Sequence, residues 1–399
     1  MKAGWTNESL IELCDEFTDG NWVESKDQSL EGIRLVQTGN VGVGKFKDRR
    51  DKARFINQKT FDRLKCFEVL PGDCLVSRLP DPVGRACEIP DTGDKMITAV
   101  DCSIVRTNQS KLLRDYFIYY SQSKEYLSDV ESVCSGTTRK RISRKNLGKI
   151  QLPVPPLEEQ KRIVAILDEA FEGLDRARAH TEANLQNAKE LFESATLDAF
   201  RYASGNAKLK KFEEVASIES VLIDPREDQY LDIQHLGAGN MITGTDELVS
   251  IKTSREEKLK SGKFPFDTKM VLYSKIRPYL RKVCRPKFDG ICSADVYPLL
   301  PREGVLNKDY LFHLLLGPDF TEYAIKGSDR VGMPKVNRKH LFSYEFPLPN
   351  IEAQTACAKK LDELMLETKK LNEVYESKLA DLDNLRQSLL QKAFAGELT

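Results

Sequence analysis

The chain has 399 residues, 31% of them charged and 40% hydrophobic, with 61 Lys+Arg set against 61 Asp+Glu. This balance leaves no global field to attract a polyanion, so any nucleic-acid face must come from local segregation of charge. The nine cysteines are scattered, odd in number and never spaced C-x-x-C, and the four histidines lie far apart. A zinc centre and a secreted disulfide scaffold are both disfavoured, and reduced structural thiols are expected. Residues 1–8 hold no apolar run of signal-peptide length and no stretch approaches a membrane span, so a cytoplasmic protein is expected.

In chain order, residues 1–152 are predicted as mixed strands and loops. Short apolar runs at Ile33–Val36, 73–77 and 96–100 are bounded by Gly and Pro as strands are. A helix is predicted from Leu112 to Tyr126, where Leu113, Phe117 and Tyr120 recur at helical spacing. Pro153-Val154-Pro155-Pro156 then stiffens the chain and suits the entry to a helix. From Leu157 the pattern becomes one long charged helix, with Glu158 and Glu159 in the first turn complementing its dipole. Leu167, Phe171, Leu174, Thr181, Leu185, Ala188, Phe192 and Ala195 mark its apolar side until Ser204-Gly205-Asn206 ends it. The rod this makes is roughly 65 Å long.

Residues 204–346 repeat the first segment's order of events. Ile233-Gln234 and Gly239-Asn240 are expected to match Val36-Gln37 and Gly39-Asn40, and residues 270–274 to match 74–77. A second long helix runs from Ile351 to about Ala395, with Leu361, Leu364, Leu371, Tyr375, Leu379, Leu382, Leu385 and Leu389 along one side. Two such rods would leave leucines in water unless they pack together, so an antiparallel coiled coil with one globe at each end is expected. The fold class is therefore α+β in four parts: 1–152, 153–203, 204–346 and 347–399.

The halves share more than order. Arg144-Lys145-Asn146-Leu147 returns 194 positions later as Arg338-Lys339-His340-Leu341. In the same register Leu152-Pro153-Val154-Pro155-Pro156-Leu157-Glu158-Glu159-Gln160 returns as Phe346-Pro347-Leu348-Pro349-Asn350-Ile351-Glu352-Ala353-Gln354. A single period near half the chain length indicates a duplicated two-part protein, not a solenoid.

Two copies of Pro-x-Pro-[Pro/Asn]-[Leu/Ile]-Glu-x-Gln opening long helices, Tyr273-Ser274-Lys275-Ile276-Arg277-Pro278-Tyr279-Leu280, and the ending Phe394-Ala395-Gly396-Glu397-Leu398 resemble one family. The chain is similar throughout to the specificity subunits of type I restriction-modification systems. The resemblance implies two target-recognition domains, each reading half of a gapped DNA sequence in a prokaryotic cytoplasm. It also implies a non-catalytic chain whose paired helices set the gap and dock two methyltransferase subunits, with restriction subunits joining the full complex. S-adenosylmethionine, ATP and Mg2+ are then expected in those partners, and no cofactor in this chain. The second helix departs from the pattern, since Gln160-Lys161-Arg162-Ile163-Val164 becomes Gln354-Thr355-Ala356-Cys357-Ala358.

On that reading the DNA-contacting candidates in the first half are Gly39, Asn40, Lys45, Ser77, Arg78, Arg85, Arg139, Lys140, Arg141, Arg144 and Lys145. Those in the second are Gln234, Asn240, Ser274, Lys275, Arg277, Arg281, Arg330, Lys335 and Arg338. Cations set affinity through phosphates, while Arg, Asn, Gln and Ser can also read base edges. Partner docking is expected on the repeated first turns, through Leu157, Glu158, Glu159, Gln160, Ile351, Glu352 and Gln354. A stand-alone enzyme is the competing reading. Gly39 to Lys45 resembles a phosphate-cradling loop, but Phe46 stands where Ser or Thr should hold magnesium. Asp246 with Glu256, Glu257 and Lys258 imitates a nuclease metal site without a strand to hold it rigid. A coiled-coil scaffold that binds only protein is the third possibility.

Overall fold

The computed structural model describes residues 2–136, 138–218, 221–328 and 334–398. It divides into two compact units, Met1–Thr181 with Ser377–Thr399, and Glu182–Glu376, so both long helices contribute to both units. Among the described residues no helix is long and apolar enough to cross a membrane.

The first unit holds two four-stranded sheets. One, all antiparallel, runs Cys14–Asp19, Cys102–Thr107, Cys74–Ser77 and Ala86–Glu88 in spatial order. The other runs Arg54–Ile56, Ile33–Val36, Met96–Thr98 and Glu68–Val69, with its two central strands parallel. Side chains on a strand alternate between faces, and the first sheet uses both. Leu75, Cys87 and Ile104 face a core shared with Val36, Val69 and Met96. Cys74, Val76 and Val105 point the other way, into a larger core with Trp5, Tyr116, Tyr126 and the long helices.

The second unit repeats both sheets strand for strand. Ala216–Ile218, Val296–Pro301, Val271–Ser274 and Val283–Cys284 form the antiparallel one. Lys252–Thr253, Gln234–Leu236, Gly290–Ser293 and Lys263–Phe266 form the mixed one. The anticipated match of Ile233-Gln234 to Val36-Gln37 is three residues out of place. Val36 pairs with Thr98 and Leu236 with Cys292, so Leu236 is the true counterpart of Val36. The slip arises because the match rested on residue identity, whereas strand register follows which side chains the core accepts.

The helix predicted over Leu112–Tyr126 is two helices, Arg114–Tyr120 and Lys124–Ser132. Ser121 turns its hydroxyl back onto the Ile118 carbonyl at 2.7 Å, and Ser123 caps the next helix by accepting from the Tyr126 N–H at 3.2 Å. Local hydroxyl bonds of this kind compete with the helix ladder. In the second unit Gly317-Pro318 makes the same break between Lys308–Leu316 and Pro318–Lys326.

The long helices span Leu157–Ser204 and Ile351–Ala395. Every position reached by alternating steps of four and three, from Gln160 to Ala199 and from Gln354 to Ala393, is buried or half-buried. That mean spacing of 3.5 is the coiled-coil repeat. Leu371 and Leu385, expected on the seam, are 40% and 49% exposed. They precede the seam positions Asn372 and Arg386 by one residue, and the seam tolerates those polar side chains. Arg386 explains how: its guanidinium lies 3.8 Å from the centre of the Phe171 ring and bonds Asp175 at 3.1 Å. In the first unit the start of the first helix packs on the end of the second. In the second unit the end of the first packs with the start of the second. Within each unit the helices are antiparallel.

Each long helix is fastened to its globe by one buried glutamine. The Gln160 carboxamide accepts from the Leu113 N–H at 2.8 Å and donates to the carbonyls of Lys111 at 2.8 Å and Pro155 at 2.9 Å. Gln354 repeats this with the Asn307 N–H at 2.8 Å and the carbonyls of Val305 at 2.9 Å and Pro349 at 2.8 Å. Gln160→Ala strands a donor and two acceptors out of water and should cost about 2–3 kcal/mol. Gln160→Glu should fail as well, because a carboxylate has no N–H to give. Urea denaturation and loss of amide-exchange protection at Leu113 are the measurements that check it.

The second unit adds an ionic fastening. Arg285 bonds Asp246 at 2.9 Å, Asp309 at 3.0 Å and Asp362 of the long helix at 2.9 Å, and His313 meets the same Asp362 carboxylate at 2.9 Å. Burial raises the Asp362 carboxyl, but the bonds from His313 and Arg285 outweigh it and hold it at about 2, against an ordinary 3.8. A depressed carboxylate stabilises the fold above its unfolded value and loses that contribution as pH falls through the folded one. Asp362→Asn should therefore lower stability by about 1 kcal/mol at neutral pH, a figure reduced for partial solvent screening. The deficit against the unsubstituted chain should shrink between pH 4 and 2 in acid-denaturation curves.

Candidate nucleic-acid interface

In each unit three loops are tied to one another. In the first unit two of them leave the sheets, residues 37–49 and 78–85, and the third connects the helix Lys124–Ser132 to the helix Arg144–Gly148. Asn40 closes the first of these: its carbonyl oxygen accepts from the Gln37 N–H at 3.0 Å and its amide donates to the Lys47 carbonyl at 2.9 Å. Arg85 then joins the first loop to the second. It donates to the carbonyls of Val41 at 2.6 Å, Leu79 at 2.7 Å, Pro82 at 2.8 Å and Thr38 at 2.8 Å. The Arg78 backbone joins the second to the third, receiving the Ile142 N–H at 3.2 Å.

The second unit is built the same way. Asn240 accepts from the Gly237 N–H at 2.8 Å and donates to the Val249 and Ser250 carbonyls, both at 3.1 Å. Lys282, in the place of Arg85, donates to the Ala238 carbonyl at 2.6 Å. The Lys275 carbonyl receives the Val336 N–H at 2.8 Å, as Arg78 receives Ile142.

This construction removes several expected residues from the surface. Arg85 is 6% exposed and spent on carbonyls, and burial pulls its guanidinium below the ordinary value. Arg78 is 4% exposed, donates to the Val100 carbonyl and faces Asp19. Ser77 and Ser274 are buried and donate to the carbonyls of Leu79 at 3.0 Å and Ile276 at 3.3 Å. Asn40 and Asn240 serve as loop closures. Each of these side chains already bonds backbone atoms or an acidic neighbour within its own unit, a use that sequence cannot distinguish from base reading. A Cβ at Gly39 would come within 2.8 Å of only the Arg49 guanidinium, the mobile end of an exposed side chain.

The remaining cations fall into two groups. Lys140, Arg141 and Arg144 are exposed but face Glu131, Asp101 and Asp19. Lys45, in the Gly-Lys turn, bonds Asp175 of the first long helix. Lys275 donates to the Ala294 carbonyl at 2.6 Å, Arg281 bonds Glu193 at 2.8 Å, and Lys335 bonds Asp295 at 3.3 Å. Among the described residues Arg139, Lys145 and Arg277 are exposed with no carboxylate within 4 Å, and Arg338 lies 6.0 Å from the Phe264 and Tyr297 rings. Gln234 is exposed on its strand. Arg330 lies outside the described residues.

Lys47 and Arg49 were missed, and both are exposed beside the Asn40 turn. The run from Lys45 to Lys52 is diluted by the exposed Asp48 and Asp51, of which Asp48 is paired with the buried Arg34. Tyr279 was also passed over, although it stands among cations at 53% exposure.

The docking candidates divide in the same manner. Glu158 and Glu352 are exposed and Leu157 and Ile351 half-buried, whereas Gln160, Gln354 and Glu159 are buried. Glu159 binds Lys2 at 2.6 Å, so these three hold the chain's own parts together. The acidic residues of the imagined nuclease site have separate tasks. Asp246 holds Arg285, Glu256 accepts from the Thr253 N–H at 2.7 Å to cap a turn of helix, and Glu257 meets His235 at 2.7 Å.

Comparison with known proteins agrees with this duplicated architecture. The family model described as "Type I restriction modification DNA specificity domain" matches residues 42–185 and 206–376. The specificity subunit of the type I restriction enzyme EcoDI of Escherichia coli is 35% identical over 189 residues, 47% of this chain and 41% of that protein. The EcoBI specificity subunit of the same organism is 25% identical over 314 residues, 70% of this chain and 65% of that protein. The matched stretches thus span less than two thirds of these relatives. In fold, a chain solved in a study of assembly and conformational transition of the type I R-M system superposes with a TM-score of 0.79 at 18% identity, covering 100% of this chain and 99% of that one. The HsdS subunit of Thermoanaerobacter tengcongensis gives 0.58 at 19% identity, covering 100% and 98%. With its family model spanning most of the sequence and its two units alike strand for strand, the chain belongs to the type I restriction-modification DNA specificity family.

Proposed function

We propose that this chain is the sequence-reading, non-catalytic subunit of a type I restriction-modification complex. Each unit contacts one part of a two-part DNA target through its three tied loops. The long helices set the gap between the parts and receive two methyltransferase subunits, and restriction subunits join the full assembly. S-adenosylmethionine, ATP and Mg2+ belong to those partners. The observation that carries this reading is the duplicated loop set, held by equivalent bonds in both units while the fold beneath it is spent on packing. Rigid scaffolds that present variable loops are the usual arrangement for recognition. Docking on the helices is supported by Leu191 and Leu385, which stand 194 residues apart at equivalent positions and are 70% and 49% exposed. Two equivalent apolar positions suit two copies of one partner.

Methylome sequencing of cells that express the chain with its methyltransferase tests both roles. Replacing residues 1–152 by those of a relative should change one part of the target and leave the other. Adding four residues to each long helix, after Ala188 and after Leu382, lengthens the rods by roughly 6 Å and nearly preserves the seam. The gap should grow by one or two base pairs, at about 3.4 Å each. An unchanged gap with full methylation would remove the helices from spacing, and a change in both parts after the replacement would show that the units do not read separately.

The cations without acidic partners should behave differently from the buried ones. Arg139→Ala with Lys145→Ala should weaken duplex binding across sequences and lower the slope of log affinity against log salt by about two. Arg85→Ala should instead lower the melting temperature. Salt-dependent gel shifts beside thermal melts separate the two effects.

A further inference from the structure

The seven residues between Ser77 and Arg85 and the seven between Ser274 and Lys282 are one loop built twice. The Ser77 N–H closes the first on the Arg85 carbonyl at 2.9 Å, and the Ser274 N–H closes the second on the Lys282 carbonyl at 3.0 Å. Gly84 and Arg281 occupy equivalent exits with φ of 87° and 45°. The loop therefore ends on a left-handed residue in both units, a conformation that glycine adopts freely and arginine does not. The tips carry opposite chemistry, Pro80-Asp81-Pro82 in the first unit and Arg277-Pro278-Tyr279 in the second.

The second tip is pinned along its backbone. The Arg277 N–H donates to the Pro334 carbonyl, the Leu280 N–H to Arg277 and the Arg281 N–H to Pro278, each at 2.9 Å. Arg277 is itself left-handed at a φ of 51°, and strained residues persist only where their surroundings over-determine them. Pro278 is buried and the Arg281 guanidinium is held by Glu193. Two exposed side chains on this rigid turn have no polar partner among the described residues, Arg277 and Tyr279. Tyr279 keeps 53% of its surface exposed.

We propose that Tyr279 is a DNA-contacting residue of the second unit, its ring lying against the face of a base in that unit's part of the target while Arg277 beside it meets a phosphate. The inference rests on the function proposed above. A flat ring on a pinned turn gives up little conformational freedom on binding. It can stack on any exposed base or wedge a flexible step, so it adds affinity and a preference for steps that open easily. By the same register Pro80 stands in the place of Arg277 and Pro82 in that of Tyr279, so the first unit offers neither the cation nor the ring there, and the two parts of the target are held by different means.

The test uses the full chain assembled with its methyltransferase partner and a duplex carrying the target that methylome sequencing identifies. Tyr279→Ala should weaken binding about 10- to 100-fold without changing the salt slope. Tyr279→Phe should stay within about twofold, and Arg277→Ala should lower the salt slope by about one. Tyr279→Ser replaces the alanine variant if that one melts early. Unchanged binding by Tyr279→Ala or Tyr279→Ser overturns the proposal, because the ring then touches nothing. A phenylalanine variant as weak as alanine also overturns it, because the hydroxyl then carries the contact. If the unsubstituted complex modifies no two-part target, the proposed function falls and this inference with it.

Discussion

The bonding of Gln160 and Gln354 is the constraint on which the rest of the structure depends. A long helix joined to a sheet domain only through Pro-rich backbone would be free to swing about that junction. One carboxamide that accepts from an N–H and donates to two carbonyls fixes the start of the helix in three directions at once. It does so where water cannot compete, since both glutamines are 0% exposed. The same set of bonds recurs 194 residues later, so each globe is held to its helix at an equivalent angle. Any function that depends on where the loops of a unit point relative to its helices begins at these two side chains.

Above that junction each unit divides into a part that must stay the same and a part that is free to vary. The sheets alternate their side chains between two cores and tolerate little change. The loops are fixed by backbone carbonyls that accept from Arg85 or Lys282 and by the Asn40 or Asn240 closure. Such anchors are indifferent to most side chains that the loops carry outward. This is why Pro80-Asp81-Pro82 and Arg277-Pro278-Tyr279 can occupy equivalent loops. A net charge of zero is compatible with locally unpaired cations, because carboxylates such as Asp48, Asp246 and Glu159 are paired with cations of the same unit.

The sequence by itself determined the duplication, the two long helices with their starts, and the α+β class. These follow from patterns carried by contiguous residues: a constant 194-residue register, prolines before Leu157 and Ile351, and apolar spacing sustained from Leu167 to Ala195 and from Leu361 to Leu389. Strands such as Ile33–Val36 were legible for the same reason, being short apolar runs with clear boundaries. The tertiary structure alone decided the rest. Whether Arg85 meets DNA or four carbonyls depends on residues 38–47 arriving from another part of the chain. Whether Gln160 faces a partner or Lys111 depends on a loop nearly fifty residues away. The four-three spacing puts Arg386 on the seam and Leu385 beside it, but only the fold supplies what makes an arginine acceptable there, the Phe171 ring and Asp175 lying opposite. Arginine, asparagine and glutamine make the same hydrogen bonds to a base edge as to a peptide, so their residue type leaves the choice open, and only the folded chain shows which acceptor is within reach.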